Sequence, residues 1–295
     1  MALNTRLCDL LGTRVPIVQA PITGEPELAL AVAGAGALGM VSLTWLEPAA
    51  IPTLMEAVGE ATVAVNLVLE WPQDERVELA LEHGARIVSL AWGDPAPFVE
   101  RIHSAGAILL ATAGTAEEAR RFEAAGVDAV VAQGWEAGGH VWNEVATMVL
   151  VPAIVDAVDV PVIAAGGIAD GRGIAAALAL GADGAWLGTR FVASEEAPQL
   201  YKDRVLEATE ASTVFGMIFS EGWEGVHRTI ANAATAQGGT HPAKWTGDAD
   251  WSPLYAGQSA GLVHDIKPAA EIVSDLVSET EAVLSGLAPG RTVDV

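Results

Sequence analysis

Short apolar runs recur along this chain at nearly regular intervals, and their spacing limits the possible folds more than any other feature. Each run is too short for a helix, and most lack the polar alternation of a half-exposed strand. Strands of that kind are buried on both faces, as in a parallel sheet covered by helices. The eight runs begin near Ile17, Leu38, Val63, Ile87, Ile108, Ala129, Val162 and Gly184.

Segments with helical patterning separate these runs, and most of them end at or just before a glycine, the usual residue past a helix C-terminus. Thr115 is a suitable N-cap for one of them. Eight strands alternating with helices predict an α/β fold, a (β/α)8 TIM barrel. The predicted helices cover 25–35, 48–58, 73–83, 95–104, 115–126, 143–158 and 170–180.

A doubly wound open sheet is the alternative fold. It would carry its nucleotide on an early G-x-G-x-x-G unit that follows a strand. The nearest early match, Gly34 to Gly39, precedes a strand instead. We therefore interpret this glycine-rich stretch as a tight turn between a helix and a strand.

The length of 295 residues suits one barrel of about 250 residues with additions. After the eighth strand the pattern changes: 194–212 is acidic and predicted to be helical, whereas 215–260 shows no clear period. Segment 268–287 is predicted to form a long amphipathic helix that closes the barrel. We predict one domain over 1–295, with 195–265 inserted before the last helix as a lid or an interface.

Composition excludes several classes of partner. The net charge of −23 produces a surface that repels nucleic acid and anionic membranes, so neither is expected to bind. The single cysteine, Cys8, is predicted to be a small buried residue, and no Cys/His spacing indicates a metal site. The chain shows neither a signal-peptide pattern nor an apolar run of about 18 residues, so we expect a cytoplasmic protein.

Three strand-then-glycine units follow one another in the second half of the chain. In a TIM barrel the loops after the strands form the active site, and phosphates commonly lie after strands seven and eight. Gly166, Gly167 and Gly188 would present backbone N–H groups to an anion at helix starts, and Thr189 would add a hydroxyl. The alternative interpretation is that either pair, Gly166–Gly167 or Gly188–Thr189, only forms a tight turn and binds no ligand. The units cover 129–140, 161–170 and 184–190.

Polar side chains at strand ends and on the longest loop are the candidates for chemistry. Asn66 and Gln133 each end a predicted strand, where an amide can hydrogen-bond a heterocyclic ring or satisfy neighbouring loop carbonyls. His140 follows a glycine pair on the longest loop, and imidazole transfers protons near neutral pH. Glu136 is interpreted as a structural acceptor for loop amides.

Tryptophans fall near the predicted barrel mouth more often than elsewhere. The chain has nine, and six of them lie at or just after a predicted strand. They either fill the ends of the barrel or line an apolar, water-poor pocket for a planar cofactor and an apolar substrate. These six are Trp45, Trp71, Trp92, Trp135, Trp142 and Trp186.

Five segments together resemble the nitronate monooxygenase family, formerly called 2-nitropropane dioxygenase. Bacterial flavin-dependent enoyl-acyl-carrier-protein reductases and some NADH:quinone reductases share these motifs. The resemblance extends from about Leu10 to Leu287, with departures at Ile22, at Trp186 and in 42–45 and 141–142. The segments that carry it are 19–22, 65–67, 132–140, 164–171 and 187–191.

The resemblance implies an FMN-binding barrel whose catalytic residue is His140. The flavin ring would lie against residues 20–22 and contact the side-chain amides of Asn66 and Gln133, with Gly138 nearby. The phosphate would lie on the loops after strands seven and eight. The implied cofactor residues, together with the glycine argued above, are Ala20, Pro21, Ile22, Asn66, Gln133, Gly138, Gly166, Gly167, Trp186, Leu187, Gly188 and Thr189.

The function implied is an FMN-dependent oxidoreductase that oxidises alkyl nitronates with molecular oxygen. Its expected partners are a small apolar or nitronate substrate and oxygen, and a homodimer is one expectation for its assembly. The alternatives are an NAD(P)H-dependent FMN reductase acting on enoyl thioesters or quinones, and a flavin-binding barrel without catalysis.

Overall fold

A computed structural model describes residues 3–141 and 143–287. Eight of its strands are parallel and form a nearly closed barrel, and three others form a small antiparallel sheet. In chain order the strands are β1 (Ile17–Gln19), β2 (Gly39–Ser42), β3 (Val63–Val68), β4 (Ile87–Ala91), β5 (Ile108–Ala113), β6 (Ala129–Gln133), β7 (Gly139–His140), β8 (Val162–Ala165), β9 (Gly184–Leu187), β10 (Thr213–Gly216) and β11 (His227–Ile230).

The barrel strands follow the order β1-β9-β8-β6-β5-β4-β3-β2 around the sheet. The two ends meet where Leu38, beside β2, forms a parallel bridge with Val18. Leu38 N donates to Ile17 O at 2.9 Å, and Gln19 N donates to Leu38 O at 2.9 Å. The prediction of a TIM barrel is confirmed. Because all these strands are parallel, their carboxyl ends meet at one rim.

Helices cover the outside of the barrel. The last and longest helix, α12 (Ala269–Gly286), packs against α8 (Gly171–Ala179) and α2 (Glu27–Gly34) and so joins the two ends of the helical layer. In chain order the helices are α1 (Arg6–Leu11), α2 (Glu27–Gly34), α3 (Ile51–Val58), α4 (Asp74–Glu82), α5 (Ala96–Ser104), α6 (Ala116–Ala125), α7 (Thr147–Val155), α8 (Gly171–Ala179), α9 (Thr189–Val192), α10 (Lys202–Glu207), α11 (Ala233–Gln237) and α12 (Ala269–Gly286).

Burial explains why most strands lack polar alternation. Every position of β3 is buried, because alternate side chains face the barrel interior and the helices. Met40, Leu110 and Val131 belong to the interior cluster, whereas Val65 belongs to the layer between strands and helices. Cys8 is buried, as predicted.

Two predicted helices differ from the structure. The helix expected over 143–158 begins only at Thr147, because Asn143 uses its side chain in the preceding loop, where Nδ2 donates to Gln133 O at 2.7 Å. The prediction of a helix over 194–212 was wrong, except for the six residues of α10 (Lys202–Glu207). Ser194 instead forms a parallel bridge with Lys267, so tertiary pairing holds the first part of this segment in a non-helical conformation.

Residues 215–260, which show no sequence period, contribute the end of β10 and all of β11 to the antiparallel sheet. Its strands β10 and β11 pair with each other, and β11 also pairs with β7 on the long loop after β6. In that register His227 lies opposite His140. The insertion is therefore hydrogen-bonded to the loop that carries the candidate catalytic histidine. None of the helices in the described ranges has the length and apolarity needed to span a membrane.

Candidate functional site

A cavity of about 530 Å³ opens at the carboxyl ends of the barrel strands. This volume is within the usual range for small-molecule sites. Of the site residues named from the sequence, Leu187 alone does not line the cavity. Those that do are Ala20, Pro21, Ile22, Asn66, Gln133, Gly138, His140, Gly166, Gly167, Trp186, Gly188 and Thr189.

Leu187 lies behind the cavity wall. Its side chain is fully buried at the end of β9, and its carbonyl accepts a hydrogen bond from Ala20 N at 2.9 Å. The side chain therefore packs the barrel, while the backbone positions the segment after β1. That segment forms the part of the wall where the flavin ring was expected.

The two amides at the strand ends are held in defined orientations. Asn66 Nδ2 donates to Ser89 Oγ at 3.1 Å, and Gln133 Nε2 donates to His140 O at 2.9 Å. Gln133 thus joins the end of β6 to the loop carrying His140, as the loop-carbonyl interpretation expected. Both amides also line the cavity, so they can contact a ring bound there.

Backbone amides dominate the rim after β8 and β9. Gly166 and Gly167 have φ values of 105° and 73°, a left-handed conformation that favours glycine. Within the described chain, the amides of Gly167, Gly188 and Thr189 donate to no backbone carbonyl. No Lys, Arg, Asp or Glu is found among the described residues lining the cavity. An anionic group here would therefore be bound mainly by N–H groups.

The insertion is attached to this rim by its segment 255–258. A Cβ on Gly138 would lie 2.4 Å from the carbonyl carbon of Ala256, so the two backbones touch only because Gly138 has no side chain. Gly257 N donates to Thr189 Oγ1 at 2.9 Å, and Gln258 N donates to Glu136 O at 3.0 Å. The insertion therefore connects the loops after β6 and β9.

Glu136 is a structural acceptor, as predicted. Its carboxylate accepts hydrogen bonds from Thr147 N, at 3.0 Å, and from Thr147 Oγ1, at 2.9 Å. These bonds tie the long loop to the start of α7. Neither Glu136 nor Thr147 lines the cavity.

His140 lies within a cluster of aromatic rings. Its ring centroid is 5.3 Å from that of Trp223, 5.4 Å from Tyr255, 5.6 Å from Trp92 and 6.5 Å from Trp45. Its Nε2 atom is buried and has no hydrogen-bond partner among the described residues. An unpartnered buried polar atom costs about 1–3 kcal/mol, so such atoms are uncommon outside functional sites.

The surroundings of His140 keep its imidazole neutral. Burial lowers the pKa of His140 from 6.5 to about 4, and His227 acts on it in the same direction. Burial likewise lowers the pKa of His227 to about 4. Nε2 of His227 accepts a hydrogen bond from Phe219 N at 2.8 Å. At neutral pH the imidazole of His140 is therefore uncharged, with a lone pair on one ring nitrogen.

The described tryptophans named from the sequence have three kinds of surroundings. Trp45 and Trp71 are in edge contact at 4.4 Å and belong, with Trp92, to the cluster near His140. Trp186 lines the cavity, whereas Trp135 packs against Phe215 at 6.0 Å. Trp142 lies outside the described residues.

Sequence reasoning missed three residues beside His140, namely Trp223, His227 and Tyr255. All three belong to the insertion, where no period predicted strands or a register. The only available signal was the concentration of Trp and His in 215–260. Composition alone could not indicate which of these side chains reach the cavity.

The model of the nitronate monooxygenase family matches residues 45–279 of this chain. The chain belongs to the nitronate monooxygenase family. A nitronate monooxygenase of Paraburkholderia phytofirmans is 33% identical, over 95% of this chain and 96% of its own length. The structure of FabK from Thermotoga maritima is similar, with a TM-score of 0.89 and 33% identity over 96% of this chain and 98% of that one.

A second kind of relative carries a different activity in its name. The (3aS,4S,5R,7aS)-5-hydroxy-7a-methyl-1-oxo-octahydro-1H-indene-4-carboxyl-CoA dehydrogenase of Mycobacterium tuberculosis is 39% identical over 72% of this chain. The first two curated relatives, both from that organism, align over 38% and 63% of their own lengths. The relatives of this chain thus carry names with more than one activity, and membership in the nitronate monooxygenase family leaves the substrate open.

The cavity fits a flavin in its chemistry. The described residues lining it include no Lys, Arg, Asp or Glu, and several are aromatic, which suits a planar ring. At one end, the backbone amides of Gly167 and Gly188 suit a phosphate, since among the described residues they donate to no backbone carbonyl. The residues that would contact a ring bound there are Ala20, Pro21 and Ile22.

Acid is expected to destabilise the protein through its buried histidines. The pKa of His140 is about 4 when folded and about 6.5 when unfolded, so the unfolded chain binds more protons between these values. Stability is therefore complete above pH 6.5 and falls as the pH drops towards 4, by on the order of 3 kcal/mol from His140. Denaturant unfolding of the wild type and of His140→Asn across this range measures the effect. If the free energy of unfolding changed equally with pH in the two proteins, His140 would not be the source of the acid destabilisation.

Proposed function

We propose that this cavity binds FMN and that the protein oxidises alkyl nitronates with molecular oxygen. The observation that supports this most directly is the unpartnered Nε2 of a neutral His140 in the wall of a cavity built from the expected flavin-contact residues. Family membership supports the same reaction class. The substrate would be small and weakly polar, because the described residues lining the cavity include no Lys, Arg, Asp or Glu.

The chain's own groups would hold the cofactor. The ring would lie against Ala20, Pro21 and Ile22, and the phosphate would accept hydrogen bonds from the amides of Gly167 and Gly188. When bound, a flavin accepts electrons from the substrate and passes them to oxygen. The protein supplies position, a low-water environment and proton transfer.

His140 would act as a general base towards a nitroalkane. Its neutral Nε2 would take a proton from the carbon beside the nitro group, so that the C–H bond breaks and its electron pair spreads onto the nitro oxygens. The imidazolium that forms would then lie beside the nitronate anion and stabilise it. With a nitronate supplied directly, no proton abstraction is needed, and His140 would contribute through position and charge.

The absorption spectrum of the purified protein is the first test. We expect a yellow protein from which heat releases FMN, and we expect a nitronate to bleach the flavin in the absence of oxygen, with colour returning on aeration. A colourless protein that does not bind added FMN in a calorimetric titration would contradict the proposal.

A reductase is the second candidate function. It is favoured by the relative named as a carboxyl-CoA dehydrogenase, which is 39% identical over 72% of this chain. In this case NADH or NADPH would reduce the flavin, which would then reduce an enoyl thioester or a quinone. Anaerobic mixing separates the two functions. Rapid bleaching by NADH with none by nitronate would favour the reductase and exclude the oxidase.

A further inference from the structure

Tyr255, which lines the cavity, carries a second buried polar atom with no partner among the described residues. Its Oη is buried and has no hydrogen-bond partner among the described residues, as is also true of Nε2 of His140. The two rings are neighbours, with centroids 5.4 Å apart, and both residues line the same cavity. Buried hydroxyls are nearly always hydrogen-bonded, so an unpaired one on a residue that lines a cavity points to a ligand that completes it.

The position of Tyr255 is defined by its neighbours. Tyr201 Oη donates to the backbone carbonyl of Tyr255 at 2.9 Å, and the next residues contact Gly138 and Thr189. His227 packs edge-on against the Tyr255 ring, with centroids 5.8 Å apart. A side chain held from both sides in this way can present its hydroxyl with little loss of entropy on ligand binding.

The hydroxyl of Tyr255 is protonated at neutral pH. Burial raises its pKa above the usual value, because the phenolate would be poorly solvated there. A protonated phenol donates a hydrogen bond, and such a bond to an anionic oxygen is stronger than one to a neutral oxygen. The group is therefore suited to an oxygen that carries or gains negative charge.

We infer that Tyr255 is a further catalytic residue, whose hydroxyl donates to an oxygen of the substrate while Nε2 of His140 faces the adjacent carbon. This inference rests on the proposed function for the identity of that oxygen, which belongs to the nitro or nitronate group. As His140 removes the proton, negative charge moves onto the oxygen that Tyr255 contacts. The bond therefore strengthens during the reaction, which is the condition for catalysis rather than simple binding.

A carboxylate with the shape of a small nitronate tests the site without turnover. Isobutyrate carries a planar pair of oxygens beside a branched carbon, and it cannot be oxidised by the same route. We expect isobutyrate to bind the FMN-supplemented protein in a calorimetric titration. We expect Tyr255→Phe, which keeps the ring and removes only the hydroxyl, to weaken that binding by about 10- to 100-fold.

Stability gives an independent readout. If the hydroxyl has no partner within the protein, Tyr255→Phe leaves the melting temperature unchanged or raises it, because an unsatisfied buried group is removed. A hydroxyl with a structural bond would instead lower the melting temperature when removed. Trp251→Phe is the matched control, since Trp251 is exposed on the same insertion and does not line the cavity. Its isobutyrate affinity should equal that of the wild type.

The outcomes separate this inference from the proposed function. Equal isobutyrate affinity in the wild type and Tyr255→Phe, or no binding by the wild type, would overturn the inference. Tyrosine-dependent isobutyrate binding by a protein that does not turn over nitronates would leave the inference standing for another oxygen-bearing substrate. The proposed function would then be wrong.

Discussion

His140→Asn is expected to lower nitroalkane turnover by about 10²- to 10⁴-fold while FMN stays bound, the range typical for loss of a general base. Asparagine remains polar and fits the space of the imidazole, but it cannot accept a proton near neutral pH. The wild-type imidazole is uncharged at that pH, because burial and His227 lower the pKa of His140 to about 4, so a ring-nitrogen lone pair is available to the proton. The nitronate charge that would form beside it favours the protonated ring. The measurement is anaerobic flavin reduction by a nitroalkane at saturating concentration, with flavin content determined for each protein.

His83→Asn is the control for this prediction. His83 is exposed after α4, far along the chain from the loop of His140, and should leave the rate unchanged. Supplying the nitronate rather than the nitroalkane should reduce the effect of His140→Asn, because the proton has already been removed. An undiminished rate with the nitroalkane would remove His140 from the proposed mechanism.

Gly138→Ala is expected to separate the insertion from the catalytic loop and to weaken FMN retention. The added Cβ would lie 2.4 Å from the carbonyl carbon of Ala256 and 2.5 Å from Gly257 N, and backbone atoms cannot move aside as a flexible side chain can. Overpacking of this kind costs about 1–3 kcal/mol. If FMN binding requires the backbone contact between Gly138 and Ala256, the same energy corresponds to a loss of FMN affinity of about 5- to 150-fold.

Gly34→Ala controls for the change from glycine to alanine. A Cβ on Gly34 meets nothing within 4 Å, and the residue ends α2 with no positive φ. This variant should keep its melting temperature and its FMN affinity. Calorimetric titration of FMN into both variants checks the prediction. Wild-type FMN affinity in Gly138→Ala would show that the contact between Gly138 and Ala256 does not support the cofactor site.

Local pattern was sufficient to predict the barrel. The strands predicted to begin at Ile17, Val63 and Ala129 depend only on residues adjacent in the chain, since apolar content and flanking glycines are local signals. All three positions match the start of a strand in the structure. Capping is equally local: Thr115 was predicted as an N-cap, and its hydroxyl accepts a hydrogen bond from Glu118 N at 3.1 Å.

The cavity-lining glycines could be predicted for a related reason. Parallel strands in a barrel bring their carboxyl ends to one rim, so residues that directly follow strands must lie near one another. This explains why Asn66, Gln133, Gly167 and Gly188 share one cavity although they are distant in sequence. Leu187 does not line it, because strand residues alternate in direction and sequence spacing alone did not show which way this one points.

The sequence by itself determined the barrel, the loops that meet at its mouth and the histidine among them, because those features follow from local periodicity and from the geometry of parallel strands. Only the tertiary structure decided which part of the insertion completes the site. His227 lies opposite His140 through the pairing of β7 with β11, and Trp223 packs against the His140 ring. Tyr255 reaches that ring because the residues after it contact Gly138 and Thr189. These residues lie far apart in the chain and carry no local pattern of their own. The same packing sets the pKa of His140, since desolvation depends on every neighbour that burial brings close.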